Sequence, residues 1–298
     1  MGLFSRKPKQ TSAAPANEPV APAGRPGPAA SDVPPAPPAP SAPVGSSLVV
    51  NTRVQAALLT WGEKKNAQTM NEVLRQCATG ELLVDISGST FADVSRGLQP
   101  GDTLGVGEVV DNAGKRLLLV FTSNDAVRAY RPQVAVMSLA QPASGVMKQA
   151  LSDFEGIVID PADPHSCIIY NREIQLGLSE EPSINEALKT ALVEDRPYDE
   201  IWELAASAPL LFIGVTETRD EAGEIIGAML PTVQTTAGEM CSLAFTSPAE
   251  VWAFDPTLSA RPTGFDNVIG GAQANGHIGA MLDPMGPWAL LRVPDEAA

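Results

Sequence analysis

Apolar positions in this chain follow two rhythms. A spacing of three to four marks helices: Val54, Ala57, Leu58 and Trp61 fall on one stripe, and Met70, Val73, Leu74 and Cys77 on another. Farther along, Ile184, Leu188, Ala191 and Leu192 repeat that stripe. Short apolar runs mark buried strands: RLLLVF, QVAVMS, GIVID and CIIYNRE in the first half, MCSLAF, GAMLD and WALLRV in the second. SGVMKQALSDF and FDNVIGGAQANG lie between the strands as helices. Helices followed by a mostly antiparallel sheet with interspersed helices predict an α+β fold, not a doubly wound parallel sheet.

The two rhythms recur. AGKRLLLVFTSNDAVRAYRP matches AGEMCSLAFTSPAEVWAFDP, with Gly114 and Gly238 each seven residues before Phe121 and Phe245. FEGIVIDP and HIGAMLDP then end at Asp160-Pro161 and Asp283-Pro284, 39 and 38 residues after those phenylalanines. LRQCATGELLVDI and LAASAPLLFIGV match more loosely upstream. We expect two tandem, pseudo-repeated α+β domains, at 49–178 and, more divergent, 183–294, packed side by side. The period is far too long for a solenoid.

The shared positions have structural readings. Gly114 and Gly238 supply the positive φ of hairpin turns. Ser123 caps the helix after the first Phe121-Thr122-Ser123. After Phe245-Thr246-Ser247, Ser247 and Glu250 form a capping box with Pro248 at the first helical position, as do Ser183 and Glu186 farther upstream. Pro132 and Pro256 stop the helices. Asp160 and Asp283 end strands, their side chains bonding backbone N–H groups two residues on.

Composition sets the tail apart. The stretch 1–46 is dominated by Pro and Ala, its PPAPPAPSAP run holds no residue able to anchor a core, and it is expected to be disordered, a spacer or a docking segment for a Pro-binding module. Gly2 and the early basic residues suggest a membrane-surface anchor only faintly, since Arg6 stands where a myristoylation signal takes Ser or Thr. No apolar run is long enough to span a membrane, and no secretory signal is present. Formal net charge is −15, with residues 1–46 net basic and the remainder net acidic, which argues against nucleic-acid binding. The three cysteines, Cys77, Cys167 and Cys241, sit among apolar neighbours with no C-x-x-C, as in a reducing cytoplasm.

Candidate chemistry is sparse. DPADPHSC gathers Asp160, Asp163, His165 and Cys167, types that ligate metals or form a Cys-His pair, though a polar turn between strands explains them as well. The second half offers DPMGPW there, without an equivalent. His277 reads as a capping or hydrogen-bonded surface histidine. Glu194-Asp195 and Asp199-Glu200 read as solvated charge. GVGEVVDNAGKR fails both nucleotide-loop patterns. No catalytic, cofactor-binding or metal-ligating residue is assigned, and no cofactor is expected.

The hairpin strand running into VFTS, the short helix after it and the strand ending GIVIDP resemble the SseB N-terminal domain family of bacterial proteins, more strongly in the first half. The resemblance implies an α+β fold in a bacterial cytoplasm and no established reaction. The family usually carries Asn where Asp160 and Asp283 stand, so a donor is replaced by an acceptor. The reading that follows is a non-enzymatic protein-interaction or scaffolding protein with a protein partner of unknown identity. The alternatives are an enzyme or metal-dependent factor using Asp160–Cys167, and a secretion or stress-response accessory factor.

Overall fold

A computed structural model describes residues 49–93, 99–133 and 136–294. The tail expected to be disordered lies outside the described residues. Leu48–Ala298 forms one compact unit.

The first half opens with α1 (Thr52–Glu63) and α2 (Ala67–Gln76), followed by β1 (Glu81–Asp85), β2 (Glu108–Val110) and β3 (Arg116–Phe121). Then come α3 (Asn124–Tyr130), β4 (Ser138–Pro142), α4 (Ala143–Asp153), β5 (Gly156–Ile159), β6 (Cys167–Tyr170) and α5 (Asn171–Leu178). The sheet runs β4-β1-β3-β5-β6, with β2 as a hairpin partner of β3. Only β3 and β5 are parallel. Strand alternation sends Leu118 and Val120 into one core with α1, α2, α4 and α5. Leu117, Leu119 and Phe121 enter a second core with Val127 of α3.

The second half contains α6 (Glu186–Val193), α7 (Tyr198–Ser207), β7 (Leu211–Arg219), β8 (Ile225–Met229), β9 (Val233–Gln234) and β10 (Met240–Ala244). It continues through α8 (Pro248–Phe254), β11 (Ser259–Thr263), α9 (Phe265–Ala274), β12 (Gly279–Leu282) and β13 (Ala289–Arg292). Two sheets, β13-β12-β10-β9 and β11-β7-β8, meet at an antiparallel bridge between Phe212 and Phe245, which exchange hydrogen bonds of 2.9 Å. The combined order β11-β7-β10-β12-β13 is that of the first half. Again the one parallel pair, β10 with β12, lies inside it. Register agrees too: Val120 faces Ile159, and Ala244 faces Leu282. Gly156 faces Tyr170 and Gly279 faces Arg292, each where a Cβ would strike the opposing backbone.

The α+β expectation holds, with mostly antiparallel sheets and helices on both faces. Gly114 and Gly238 carry φ of 84° and 85° in their hairpin turns. Four local expectations are corrected. Of the strand expected over QVAVMS, residues 134–135 lie outside the described residues and Val136 and Met137 precede β4, which begins at Ser138 and pairs with the five residues of β1 as an edge. The strand over CIIYNRE ends at Tyr170. Asn171 opens α5 and its Nδ2 donates to the Ala150 and Phe154 carbonyls that close α4, at 3.3 and 2.6 Å. Neither capping box forms: α6 starts after Asn185, with Ser183 bonded to Glu181 and Glu186 to Ser144. Ser247 precedes α8 without a side-chain cap bond, and the Glu250 carboxylate turns inward to cations. The β7–β8 hairpin, with Ile226 and Met229 about two-thirds exposed, was not anticipated.

The halves meet through helices. α8 lies on α2 and α5, with Asn71 Nδ2 donating to the Ala249 carbonyl at 3.1 Å. Gly177 brings α5 against Leu74 and Ala249 so closely that a Cβ there would lie 2.2 Å from Leu74 Cδ2.

Candidate functional site: two strand-end crevices

Adjacent parallel strands open a crevice beyond their carboxyl ends, the usual place for a ligand in such sheets. In the first half Thr122 follows β3 and Asp160 follows β5. In the second, Thr246 follows β10 and Asp283 follows β12. Both aspartates adopt left-handed backbone, φ 47° and 49°, which short polar side chains tolerate. Asp160 Oδ1 accepts the Thr122 N–H at 2.9 Å, and its Oδ2 accepts the Thr122 hydroxyl at 2.6 Å. Asp283 makes the same two bonds with Thr246 at the same two lengths. These carboxylates therefore clamp neighbouring strand ends together, instead of bonding N–H groups two residues on as expected from the Asp-Pro turns. Their carbonyls close the following turns by accepting Asp163 N and Gly286 N. Pro161 and Pro284 stand half-buried in these turns.

Neighbouring positions complete the frame. Phe121 and Phe245 are fully buried beside Tyr130 and Phe254, with ring centroids 5.9 and 6.0 Å apart. Ser123 Oγ accepts Ala126 N at 3.2 Å and caps α3. Two asparagines that sequence reasoning passed over tie the leading helices to the sheets. Asn51 Nδ2 donates to the Glu81 carbonyl, and Asn185 Nδ2 to those of Leu210 and Thr246. Each stands immediately before its helix, the one signal that marked them.

The two crevices differ in charge. In the second, Lys189 of α6 donates to Asp283 at 2.8 Å and also bonds Glu250. Arg75 of α2 reaches in from the first half to Glu250 at 3.1 Å. Lys189, Glu250 and Asp283 are buried. Burial pulls the Lys189 ammonium down, but the charges and hydrogen bonds of Asp283 and Glu250 outweigh it and its pKa is raised. The Glu250 carboxyl is raised, by burial first and by the Asp283 charge second, against the pull of Lys189 and Arg75. In the first crevice Gln55 occupies the Lys189 position on the leading helix and donates to Thr122 Oγ1 at 3.1 Å. Ala126 occupies the Glu250 position. The space stays open, about 410 Å³ between α1, α3 and the 160–165 turn. Burial lifts the Asp160 carboxyl above its ordinary value, against the two Thr122 bonds.

The Asp160–Cys167 segment does not converge. Asp163 Oδ1 meets His165 N at 2.7 Å and His165 Nδ1 at 2.9 Å, at the crevice mouth. The imidazole lies against Gly62 of α1, where a Cβ would come 1.9 Å from His165 Cδ2. Cys167 is buried in the core behind the sheet, its thiol pushed up to about 12 by burial. Among the described residues no three His, Cys, Asp or Glu side chains are placed to hold a metal ion, and no helix is long and apolar enough to cross a membrane. Ser242 Oγ and His277 Nδ1 lie 2.9 Å apart, and His277 borders two further grooves of about 790 and 470 Å³. Arg196 pairs with Glu194 and Glu200 in solvent.

The domain built around the open crevice can be placed. Residues 54–175 match the family model of the SseB protein N-terminal domain. This stretch is similar to the SseB N-terminal domain. It takes in α1 to the first turn of α5, and so the whole Thr122–Asp160 crevice. No curated protein and no solved structure matches the chain.

Proposed function

We propose that this chain is a non-enzymatic protein-interaction or scaffolding protein made of two SseB-like units in tandem, at 49–178 and 183–294. One observation carries the reading: a strand-end crevice that stands open at Asp160 is, at Asp283, closed by Lys189 and Glu250 of its own half and by Arg75, which reaches Glu250 from the other half. Such a crevice is a receptor for a packed helix. Common strand order and parallel-pair register support descent of both halves from one unit. The polar motif residues are engaged in holding that unit together. Against chemistry at Asp160–Cys167 stand the raised, buried Cys167 thiol and the His165 ring seated on Gly62. We assign the protein to a bacterial cytoplasm, in keeping with its buried free cysteines, and its acidity directs it away from nucleic acid.

Crosslinking in the native cell, comparing the full chain with one lacking residues 1–46, tests this. Partners retained by the shortened chain, with crosslinks mapping to the folded halves, support it. Partners lost with the tail assign binding to the tail and refute a role for the paired units.

A further inference from the structure

Within the chain itself, one crevice shows what it accepts. Arg75 projects from α2 between Glu250 and the turn after Asp283, where a Cβ on Gly286 would lie 2.9 Å from its Nη1. Asn71 of the same helix donates to the Ala249 carbonyl at 3.1 Å, and Leu74 and Ala249 both stand against Gly177 of α5. Register transfers this position to the first half. There Ala126 stands for Glu250 and Asp163 for Gly286, and both line the open crevice. Asp125, Asp160 and Asp163 line that crevice, Asp125 paired with Arg128 at 2.9 Å and Asp163 with His165 at 2.9 Å, and Leu58 and Leu59 of α1 give it an apolar wall. Asp160 keeps the two threonine bonds of Asp283 without the lysine.

We propose that the crevice between α1, α3 and the 160–165 turn binds an amphipathic helix of a protein partner, seating an arginine beside Asp163. This rests on the protein-interaction reading above and names the partner's chemistry. A second copy of the chain is the obvious rival, since repeating the internal junction would bring α7 into the crevice. Charge opposes it. α7 exposes Asp199 and Glu203, so carboxylates would face carboxylates. The acidity of the whole chain likewise favours a basic partner.

The test uses the full chain and a fluorescent alanine-based helical peptide carrying Asn, Leu and Arg at the spacing of Asn71, Leu74 and Arg75. The arginine peptide is expected to bind at least about tenfold more tightly than its glutamate analogue, measured by anisotropy at low salt. Asp163→Lys and, independently, Ala126→Lys remove that preference. Ala126→Glu restores the carboxylate that Arg75 meets in the second half and tightens binding. Asp199→Lys, on α7, leaves binding unchanged. Equal affinity for both peptides overturns the proposal, as does binding that survives both lysine substitutions. Self-association abolished by Asp163→Lys overturns it in favour of the second copy. If crosslinked partners persist in the Asp163→Lys chain, the crevice assignment falls while the interaction reading stands.

Discussion

The two crevices share one backbone device and differ in what surrounds it. At Asp160 the buried carboxylate is clamped by Thr122 and flanked by a neutral Gln55, and the crevice it borders beside α3 is unfilled. At Asp283 the same clamp is buried under Lys189, Glu250 and Arg75. The comparison teaches that the strand-end clamp does not need the cations to form. They are an addition at the surface where the halves join. Two carboxylates and two cations in one buried cluster balance only while all are present, since each isolated charge carries a desolvation cost of several kcal/mol.

The sharpest way to break the comparison is therefore to remove the matched residues Lys189 and Gln55. Lys189→Met strands Glu250 and Asp283 with Arg75 alone and is expected to cost about 3–5 kcal/mol in urea unfolding. Gln55→Met removes one part-exposed hydrogen bond and is expected to cost about 1 kcal/mol. Equal losses would mean that the cluster contributes no more than the neutral bond. Next come the paired glycines. A Cβ at Gly156 would meet the Ile169 carbonyl oxygen at 2.5 Å, and one at Gly279 the Leu291 oxygen at 2.1 Å. Gly156→Ala and Gly279→Ala should each destabilise by about 1–3 kcal/mol through forced backbone shifts. Gly145→Ala, in open space on α4, should change stability by no more than about 1 kcal/mol, in the stabilising direction. Loss at one of the paired sites alone would break the equivalence of β5–β6 and β12–β13.

Much of this architecture was legible in sequence because it is local or periodic. The helical stripes, the Gly114 and Gly238 turns and the GIVID and GAMLD strands follow from spacing and backbone freedom. What escaped depends on partners far along the chain. Glu250 has the sequence of a capping residue, yet its partners Lys189 and Arg75 lie 61 and 175 residues away. The aspartate side chains likewise reach back to Thr122 and Thr246 across 38 and 37 residues. His165 and Cys167 stand two residues apart, but Cys167 begins β6 and turns into the core while His165 stays in the turn. Arg75 gave no sign in sequence of its role, because nothing local distinguishes it from a solvated helix arginine.

A smaller effect sharpens the charge difference. Burial raises the Asp160 carboxyl, so the folded state binds its proton more tightly than the unfolded state does. Stability contributed by this group is then present below its unfolded pKa of about 4 and is lost as pH rises through the folded value. Asp160→Asn should flatten that falling limb and change neutral-pH stability by no more than about 1 kcal/mol, since its carbonyl still accepts Thr122 N–H. The raised Glu250 carboxyl falls on the same limb and remains in this variant. Asp283→Asn removes a charge that Lys189 uses and should cost about 1–3 kcal/mol at neutral pH. A limb unchanged by Asp160→Asn would place the acid titration elsewhere.

The finest distinction concerns the serines. Ser123 and Ser247 occupy the same place before α3 and α8, and sequence alone gives Ser247 the stronger helix start, with Pro248 and Glu250 behind it. Their side chains behave differently: Ser123 accepts Ala126 N at 3.2 Å, and Ser247 makes no cap bond. Capping side chains stabilise by about 0.5–2 kcal/mol. Ser123→Ala should therefore cost about 1 kcal/mol in urea unfolding, and Ser247→Ala less than about 0.5 kcal/mol. The opposite order would mean that Ser247 Oγ caps α8 in solution by accepting a first-turn N–H, as Ser123 does for α3.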